Sequence, residues 1–501
     1  MTVTQPQAAA PTAYPMIIGG RPVLPGGIEV LDVENPYTGQ VWAQVPVAGA
    51  AEVDLAVSAA RSAFDGDWRT IPPTRRAALL RDIAQALDGA IDELASLQVR
   101  ENGKAIREQH AQTSALGNHL RYFAGMCEQL RGATIPVGVL SSLVYTVREP
   151  IGVVAALTPW NSPLSLLMWK VAPALATGNT VVVKPSEITP VSAIRFVEIC
   201  EQAGLPPGVL NVVTGAAATG AALTAHPGVQ KVAFTGSPGA GRSVGKAAMD
   251  NLARVTLELG GKSASIVFAD ADLDRAVEGI VGGIFAAAGQ TCIAGSRVLV
   301  AAEIHDELVG RLVERVARIR LGDPLDWETE VGTIACRAQF AKVEQYVAIA
   351  RAEGATLVAG GAPPDNPALE RGLFFSPTIF DAVTPQMRIA REEVFGPVLA
   401  IQTFTDERDA VQQANDSEFG LAAGLWTTDA GRAHRVAAQL RAGTVWVNTY
   451  RKLNHAVPFG GYGHSGIGRE NGIEALDEYT ETKVVWQDIG ERVPDPFNPM
   501  G

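Results

Sequence analysis

Residues 152–185 read GVVAALTPWNSPLSLLMWKVAPALATGNTVVVKP. Two short runs of Val and Ala flank a stretch, Pro163–Ala176, of helical length and texture. The alternation continues downstream: Val191–Ala203 is helix-like, VLNVVTG at 209–215 strand-like, Thr219–Ala225 helix-like, and KVAFTG at 231–236 strand-like. Continuous apolar strands separated by helices predict an α/β fold, a parallel, doubly wound sheet covered on both faces. Ligands of such sheets sit beyond the carboxyl ends of the strands. The turns found there carry Trp160-Asn161, the run Lys184-Pro-Ser-Glu187, and Gly236-Ser237.

Upstream, NPYTGQVWAQ at 35–44 reads as a strand with turn chemistry at Pro36 and Gly39. Apolar spacing predicts amphipathic helices over 51–64 and 74–104, and a β-like hairpin over 138–147. A second α/β alternation runs from Leu259 to Val447, through SASIVFA, SRVLVAA, FFSPTIF and GTVWVN. Residues 1–15 lack the basic and apolar regions of a signal peptide and read as a flexible tail. The terminal VPDPFNPMG reads as an extended arm.

A chain of 501 residues exceeds one ordinary core and implies two or three lobes. Apolar residues at 47% and charged residues at 19% exclude wholesale disorder. The net charge of -12, with no Lys/Arg run longer than a pair, argues against a nucleic-acid partner. No uncharged apolar stretch reaches membrane-spanning length, so no membrane partner is expected. The four cysteines, Cys127, Cys200, Cys292 and Cys336, lie far apart without CxxC spacing. That is neither a disulfide framework nor a metal site, and it fits a reducing, cytoplasmic setting.

Three motifs carry chemistry. VAFTGSPGAG at 232–241 runs from a strand through glycines into a helix, which lets backbone N–H groups approach a pyrophosphate; a plain tight turn reads the same way. Cys292, in AGQTCIAGSR, sits in a small-residue loop with room for a substrate, whereas the other three cysteines lie in helix-like text and read as inert. Glu258, in LELGGKS, lies between leucines, an odd place for a solvated carboxylate. It is either a buried base with a raised pKa or a paired structural residue.

Taken in order, TPWNSP, VVVKPSE, FTGS, LELGGKS, GQTCIAGSR, EEVFGP and PFGGYGHSGIGRE resemble the aldehyde dehydrogenase superfamily from about Asn35 to Trp486. The resemblance implies NAD-dependent oxidation of a small-molecule aldehyde to a carboxylic acid. Cys292 would be the nucleophile that forms a thiohemiacetal and then a thioester. Asn161, with the Cys292 backbone N–H, would bind the oxyanion, and Glu258 would activate the hydrolytic water. Lys184 and Glu187 would hold the adenine ribose, favouring NAD with NADP as the weaker cofactor. Trp160, Ser186, Gly220, Phe234, Gly236, Ser237, Leu259, Glu393 and Phe395 complete the implied cofactor set, with Gln339 and Lys342 as further ribose contacts. Ser162, Ser165, Leu166, Trp169, Ala286, Thr291, Ile293, Arg451, Leu453 and Phe459 would line the aldehyde tunnel. Small Ser162 and Ala286, with Arg451 near the mouth, point to a polar or carboxylated aldehyde. Arg451 could equally face solvent or pair with a neighbouring Glu.

The family fold also implies lobes: a tail over 1–15, a NAD-binding domain over 16–129 and 151–258, and a catalytic domain over 259–478 whose last part returns toward the first. Oligomerisation segments over 130–150 and 479–501 would make a homodimer or homotetramer. One departure is Gly463, where the family usually has Lys. The rival readings are a CoA-acylating semialdehyde dehydrogenase, a silent structural protein of the same fold, and a dinucleotide-binding regulator. Retention of Glu258, and of the Cys292–Glu258–Asn161 set, speaks against each in turn.

Overall fold

The apolar runs 153–157, 180–184, 210–212 and 231–235 are buried along their whole length, as strands covered on both faces must be. In the computed structural model, which describes residues 10–138, 142–490 and 497, they lie side by side in an eight-stranded sheet. Its order is Gly466–Ile467, Arg254–Glu258, Lys231–Thr235, Val153–Leu157, Thr180–Lys184, Leu210–Val212, Met16–Ile18 and Arg21–Val23. Strand Val153–Leu157 has its successor on one side and Lys231–Thr235 on the other, so chain order switches direction there and opens a crevice at the carboxyl ends. Register places Leu157 opposite Lys184 and Phe234, and Thr235 opposite Glu258, so these residues share that end.

The second alternation builds a seven-stranded sheet: Thr356–Ala359, Thr378–Asp381, Val398–Phe404, Arg297–Ala301, Ala264–Val267, Ala422–Trp426 and Thr444–Val447. All neighbours are parallel except the first pair. A separate ribbon pairs Ser142–Pro150 with Thr480–Asp488.

Four local expectations change. The helix expected over 74–104 is two helices, Pro73–Asp88 and Ile91–Asn102. The apolar spacing runs across the break, but Gly89 ends the first helix, in keeping with the roughly 1 kcal/mol that a helical glycine costs. Thr12–Ala13, placed in the tail by sequence, pairs in parallel with Ala43 and Gln44; residues 1–9 lie outside the described set. Cys336 is not helical but the residue just before helix Arg337–Ala352. The expected 138–147 hairpin is seen as strand Ser142–Pro150 folding onto 133–135, with 139–141 outside the described residues. Of the C-terminal arm, only Phe497 is described.

Gly463 acquires a physical account. It takes φ +57° in a short antiparallel pairing with Phe419, and a Cβ there would lie 2.8 Å from the Glu418 carbonyl oxygen. A lysine at this position would be strained and crowded at once. Among the described residues, no helix is long and apolar enough to cross a membrane. No group of three or more His, Cys, Asp or Glu among them could hold a metal ion.

Candidate active site

Asn161 and Glu258 come from the crevice of the first sheet, and Cys292 from the loop entering the second. Asn161 follows strand Val153–Leu157 and precedes helix Pro163–Thr177. It is buried, and its side-chain amide donates to the Gln290 carbonyl at 3.0 Å, two residues before Cys292. Gln290 is itself held by three backbone contacts: its Nε2 donates to the Ala287 and Thr333 carbonyls, and its Oε1 accepts from Ala335 N–H. Ala287 and Ala288 both take left-handed φ, +54° and +52°, conformations that packing must enforce on residues with a Cβ. A Cβ on Gly261 would fall 2.4 Å from the Cys292 carbonyl oxygen, so glycine alone lets the LELGG turn lie against this loop.

Glu258 ends strand Arg254–Glu258 and is 3% exposed, and neither carboxylate oxygen has a hydrogen-bond partner. Burial holds its pKa well above the ordinary carboxylate range, and nearby Glu470 pushes the same way against Lys170. Lys170 and Glu470 form a fully buried ion pair, and Lys170 also donates to Thr235 Oγ1 at 2.7 Å. Burial pushes the Cys292 thiol up to about 12, with Glu258 and Glu393 adding to it. Cys127 and Cys200 are buried, and burial raises both of their pKa values.

Two cavities meet at these residues. One of about 930 Å³ is walled by Ser162, Ser165, Leu166, Trp169, Ala286, Thr291, Ile293, Arg451, Leu453 and Phe459, every tunnel position expected from sequence. The other, about 170 Å³, is walled by Trp160, Gly236, Ser237, Leu259, Glu393 and Phe395, with Gln339 and Lys342. Cys292, Asn161 and Leu166 line both. In the smaller cavity Trp160 meets Phe395 edge-on at 5.3 Å, and Gln339 donates to the Val394 and Phe395 carbonyls. Burial pushes Glu393 up to about 7, opposed by the Gly261 N–H it accepts. Ser237 caps helix Pro238–Asp250 by accepting from Ala240 N–H, so that helix's N-terminus opens beside the cavity. A Cβ on Gly236 would strike the Phe234 ring at 2.5 Å, which accounts for the glycine.

The remaining cofactor candidates stand outside that wall. Lys184 is buried, and its ammonium lies 3.7 Å from Glu187, whose side chain is 47% exposed. Burial lowers the Lys184 pKa and Glu187 opposes the shift. Ser186 accepts from Ile188 N–H, and Gly220 packs beside the Lys184 stem. Glu187 lines a separate cavity of about 310 Å³ with Cys336 and Glu34.

Of the alternatives the sequence left open for Arg451, pairing with a glutamate is the one seen. The Arg451 guanidinium donates to Glu108 at 3.0 Å and to the Gly282 carbonyl at 3.1 Å. Glu108 is shared with Lys104, 3.8 Å away. Sequence reasoning missed Lys104, Glu108, Lys170, Glu470, Thr235 and Gly260. Thr235, Gly260 and Glu470 lie inside the motifs FTGS, LELGGKS and PFGGYGHSGIGRE, and Lys170 stands out as a lysine within the apolar helix text LLMWKVAPALA.

The family model described as "Aldehyde dehydrogenase family" matches residues 25–485. A (Z)-2-((N-methylformamido)methylene)-5-hydroxybutyrolactone dehydrogenase from Acinetobacter baylyi is 43% identical over 475 residues, covering 94% of this chain and 96% of its own. A betaine aldehyde dehydrogenase from Bacillus subtilis is 42% identical over 472 residues, again 94% of this chain and 96% of its own. Among solved structures, a betaine aldehyde dehydrogenase from Staphylococcus aureus in complex with NAD+ superposes with a TM-score of 0.95 at 39% identity, covering 97% of each chain.

Proposed function

The chain belongs to the aldehyde dehydrogenase family, and on that premise we propose that Cys292, Asn161 and Glu258 carry out a hydrolytic oxidation at the junction of the two cavities. The protein oxidises aldehydes, with NAD as its cofactor. The observation that carries the mechanism is that Cys292 and Asn161 line both cavities, so one thiol can meet an aldehyde from one side and a cofactor from the other.

NAD supplies a hydride acceptor when bound. Trp160, Gly236, Ser237, Leu259, Glu393 and Phe395 would hold it, with Lys184, Ser186, Glu187, Gly220 and Phe234 beyond them toward the adenosine end. The residues present fit: an open helix N-terminus for a pyrophosphate, and the half-buried Glu393 carboxylate for ribose hydroxyls. Cys292 attacks the carbonyl carbon. The Asn161 amide has a second N–H, not engaged by Gln290, for the oxyanion. Loss of hydride from the thiohemiacetal leaves a thioester on Cys292. Glu258, buried with both oxygens free of protein donors, takes a proton from the water that hydrolyses it. This unpartnered base favours water over CoA as the acyl acceptor.

The half-exposed Glu187 carboxylate would repel a 2′-phosphate, so NAD is expected to exceed NADP in kcat/KM by about tenfold or more. Glu187→Gln should narrow the gap. Equal use of both cofactors by the wild type would remove Glu187 from that role.

The substrate is a polar or carboxylated aldehyde larger than acetaldehyde. The support is a roomy cavity of about 930 Å³ whose wall is rich in polar groups, with Arg107, Arg451 and Lys452 set among Glu108, Glu278 and Glu330, and in which Glu108 holds the Arg451 guanidinium in place. The test is NADH formation across an aldehyde panel that includes a semialdehyde acid, its chain-matched neutral aldehyde and a trimethylammonium aldehyde. The acid should lead in kcat/KM, and Arg451→Ala should cut its advantage over the neutral aldehyde by about tenfold. An unchanged ratio, or preference for the cation, would reject the acidic substrate. The ribbon of Ser142–Pro150 and Thr480–Asp488, with Val484 and Trp486 exposed, is the surface on which a second copy would pair in a homodimer or homotetramer.

A further inference from the structure

Two buried polar side chains in the wall of the large cavity lack a partner in the protein. Asn471 is 2% exposed and His119 6%, and both line the cavity. Asn471 Oδ1 and His119 Nε2 make no hydrogen bond among the described residues. Neither side chain belongs to the set that makes and breaks bonds. A buried polar atom without a partner costs stability, so its presence in a cavity wall points to a partner that arrives with the ligand.

Asn471 is fixed there by the backbone on each side. Glu470 and Phe459 exchange two backbone hydrogen bonds, at 2.6 and 2.7 Å, and Gly472 N–H donates to the His455 carbonyl at 2.9 Å. The turn between them is left-handed at two successive residues, with φ +60° at Asn471 and +64° at Gly472. Asparagine tolerates that conformation, but glycine adopts it at no steric cost, as it does one residue later. The turn therefore explains a permissive residue at 471, and not a buried carboxamide whose oxygen lacks a donor.

His119 faces the same loop. It lies on helix Leu116–Met126, its ring stacked on Phe123 with centroids 5.3 Å apart, and it meets the His455 ring edge-on at 5.9 Å. His455 joins the two: its ring meets His119, its carbonyl holds the residue after Asn471, and it lines the same cavity. Burial brings the His119 pKa down to about 3, with His455 adding to it, and burial also lowers His455. Both rings are neutral at neutral pH, so these side chains offer an amide and two imidazoles and no charge.

The chemistry of these atoms selects a ligand group. Asn471 Oδ1 takes a donor, and a neutral imidazole nitrogen gives or takes a hydrogen bond according to its tautomer. A hydroxyl serves both at once. A carboxylate has no proton for Oδ1, and a desolvated anion finds no countercharge on these three side chains. An alkyl chain leaves the polar atoms as they are.

We propose that Asn471 and His119 form a hydroxyl subsite in the aldehyde cavity, so that the preferred substrate is an aldehyde with a hydroxyl group elsewhere on its chain. The subsite rests on the reading of that cavity as the aldehyde's, and it narrows a polar substrate to one that carries a hydrogen-bond donor.

The experiment is NADH formation by the full-length enzyme from a graded series of ω-hydroxyaldehydes, each paired with its unsubstituted aldehyde and its ω-methoxy ether. At the length that reaches the subsite, the hydroxyl should raise kcat/KM about tenfold over both partners, since the ether accepts but cannot donate. Asn471→Gly keeps the left-handed turn and removes the amide. His119→Phe keeps the stack on Phe123 and removes the ring nitrogens. In each variant the advantage should fall to about twofold or less. The ratio is taken within one enzyme, so a general loss of rate from disturbing Glu470 cancels. If one variant does not fold, the other decides. A wild type that uses hydroxylated and unsubstituted members alike at every length would overturn the proposal. So would an ether that matches the hydroxyl, or a folded variant that keeps the full advantage. Absence of NADH from the whole series would instead overturn the assignment of the cavity to the aldehyde.

Discussion

Cys292→Ala is expected to remove aldehyde oxidation almost completely, with kcat lowered by about 10³-fold or more, while NAD still binds. Without the thiol no covalent acyl intermediate can form, and positioning by Asn161 cannot replace a missing bond. The cofactor wall depends on Trp160, Glu393 and Phe395, and none of these needs the sulfur for its packing. Steady-state NADH formation measures the first effect, and quenching of protein fluorescence by added NAD the second. A variant with a tenth of wild-type kcat would refute covalent catalysis. A variant that no longer binds NAD would mean that the loop around residue 292 had lost its structure.

Glu258→Gln should separate the two halves of the reaction. The amide has nearly the same shape, so Cys292 can still be acylated, but it cannot accept the proton of the hydrolytic water. The first turnover should release a burst of NADH close to one per active site, followed by turnover about 10²- to 10⁴-fold slower than in the wild type. The pH dependence follows from burial. Glu258 titrates well above the ordinary carboxylate range, and only its ionised form is a base. Wild-type deacylation should therefore be slow at low pH and rise as pH climbs through that raised pKa. The Gln variant should lack this rise. If burst and steady rate fall together, Glu258 also acts on the Cys292 thiol.

The crevice in which these residues meet could be located from the chain itself. Val-rich runs at 153–157 and 180–184 can only be strands buried on both faces, which places Trp160-Asn161 and Lys184–Glu187 at the carboxyl ends. Glu258 stood out because a carboxylate between leucines is out of place on a solvated face, which left a buried base and a paired structural residue as its two readings. Charges whose partners are distant in sequence could not be read. Arg451 and Glu108 are 343 residues apart, and only the fold makes them a pair. Lys104 and Glu108, at helical spacing, look like an ordinary solvated i,i+4 pair until their burial is known. Glu470 reveals itself only opposite Lys170, 300 residues away. Helix limits failed where a single glycine, Gly89, outweighed a continuous apolar stripe.

The large cavity draws much of its wall from Gln112, Ser165, Trp169, Leu453 and Phe459, side chains on helices and a loop rather than on the strands of either sheet. Glu258, by contrast, ends a strand of the first sheet. Trp169 and Lys170 show how close the two sets run: neighbours on one helix, one lines the cavity and the other pairs with Glu470. Substitutions at Gln112, Ser165, Trp169 or Leu453 can therefore reshape the cavity while leaving Cys292, Asn161 and Glu258 themselves unchanged. A lineage built on this frame can exchange one aldehyde for another through a few point mutations while its chemistry is inherited intact.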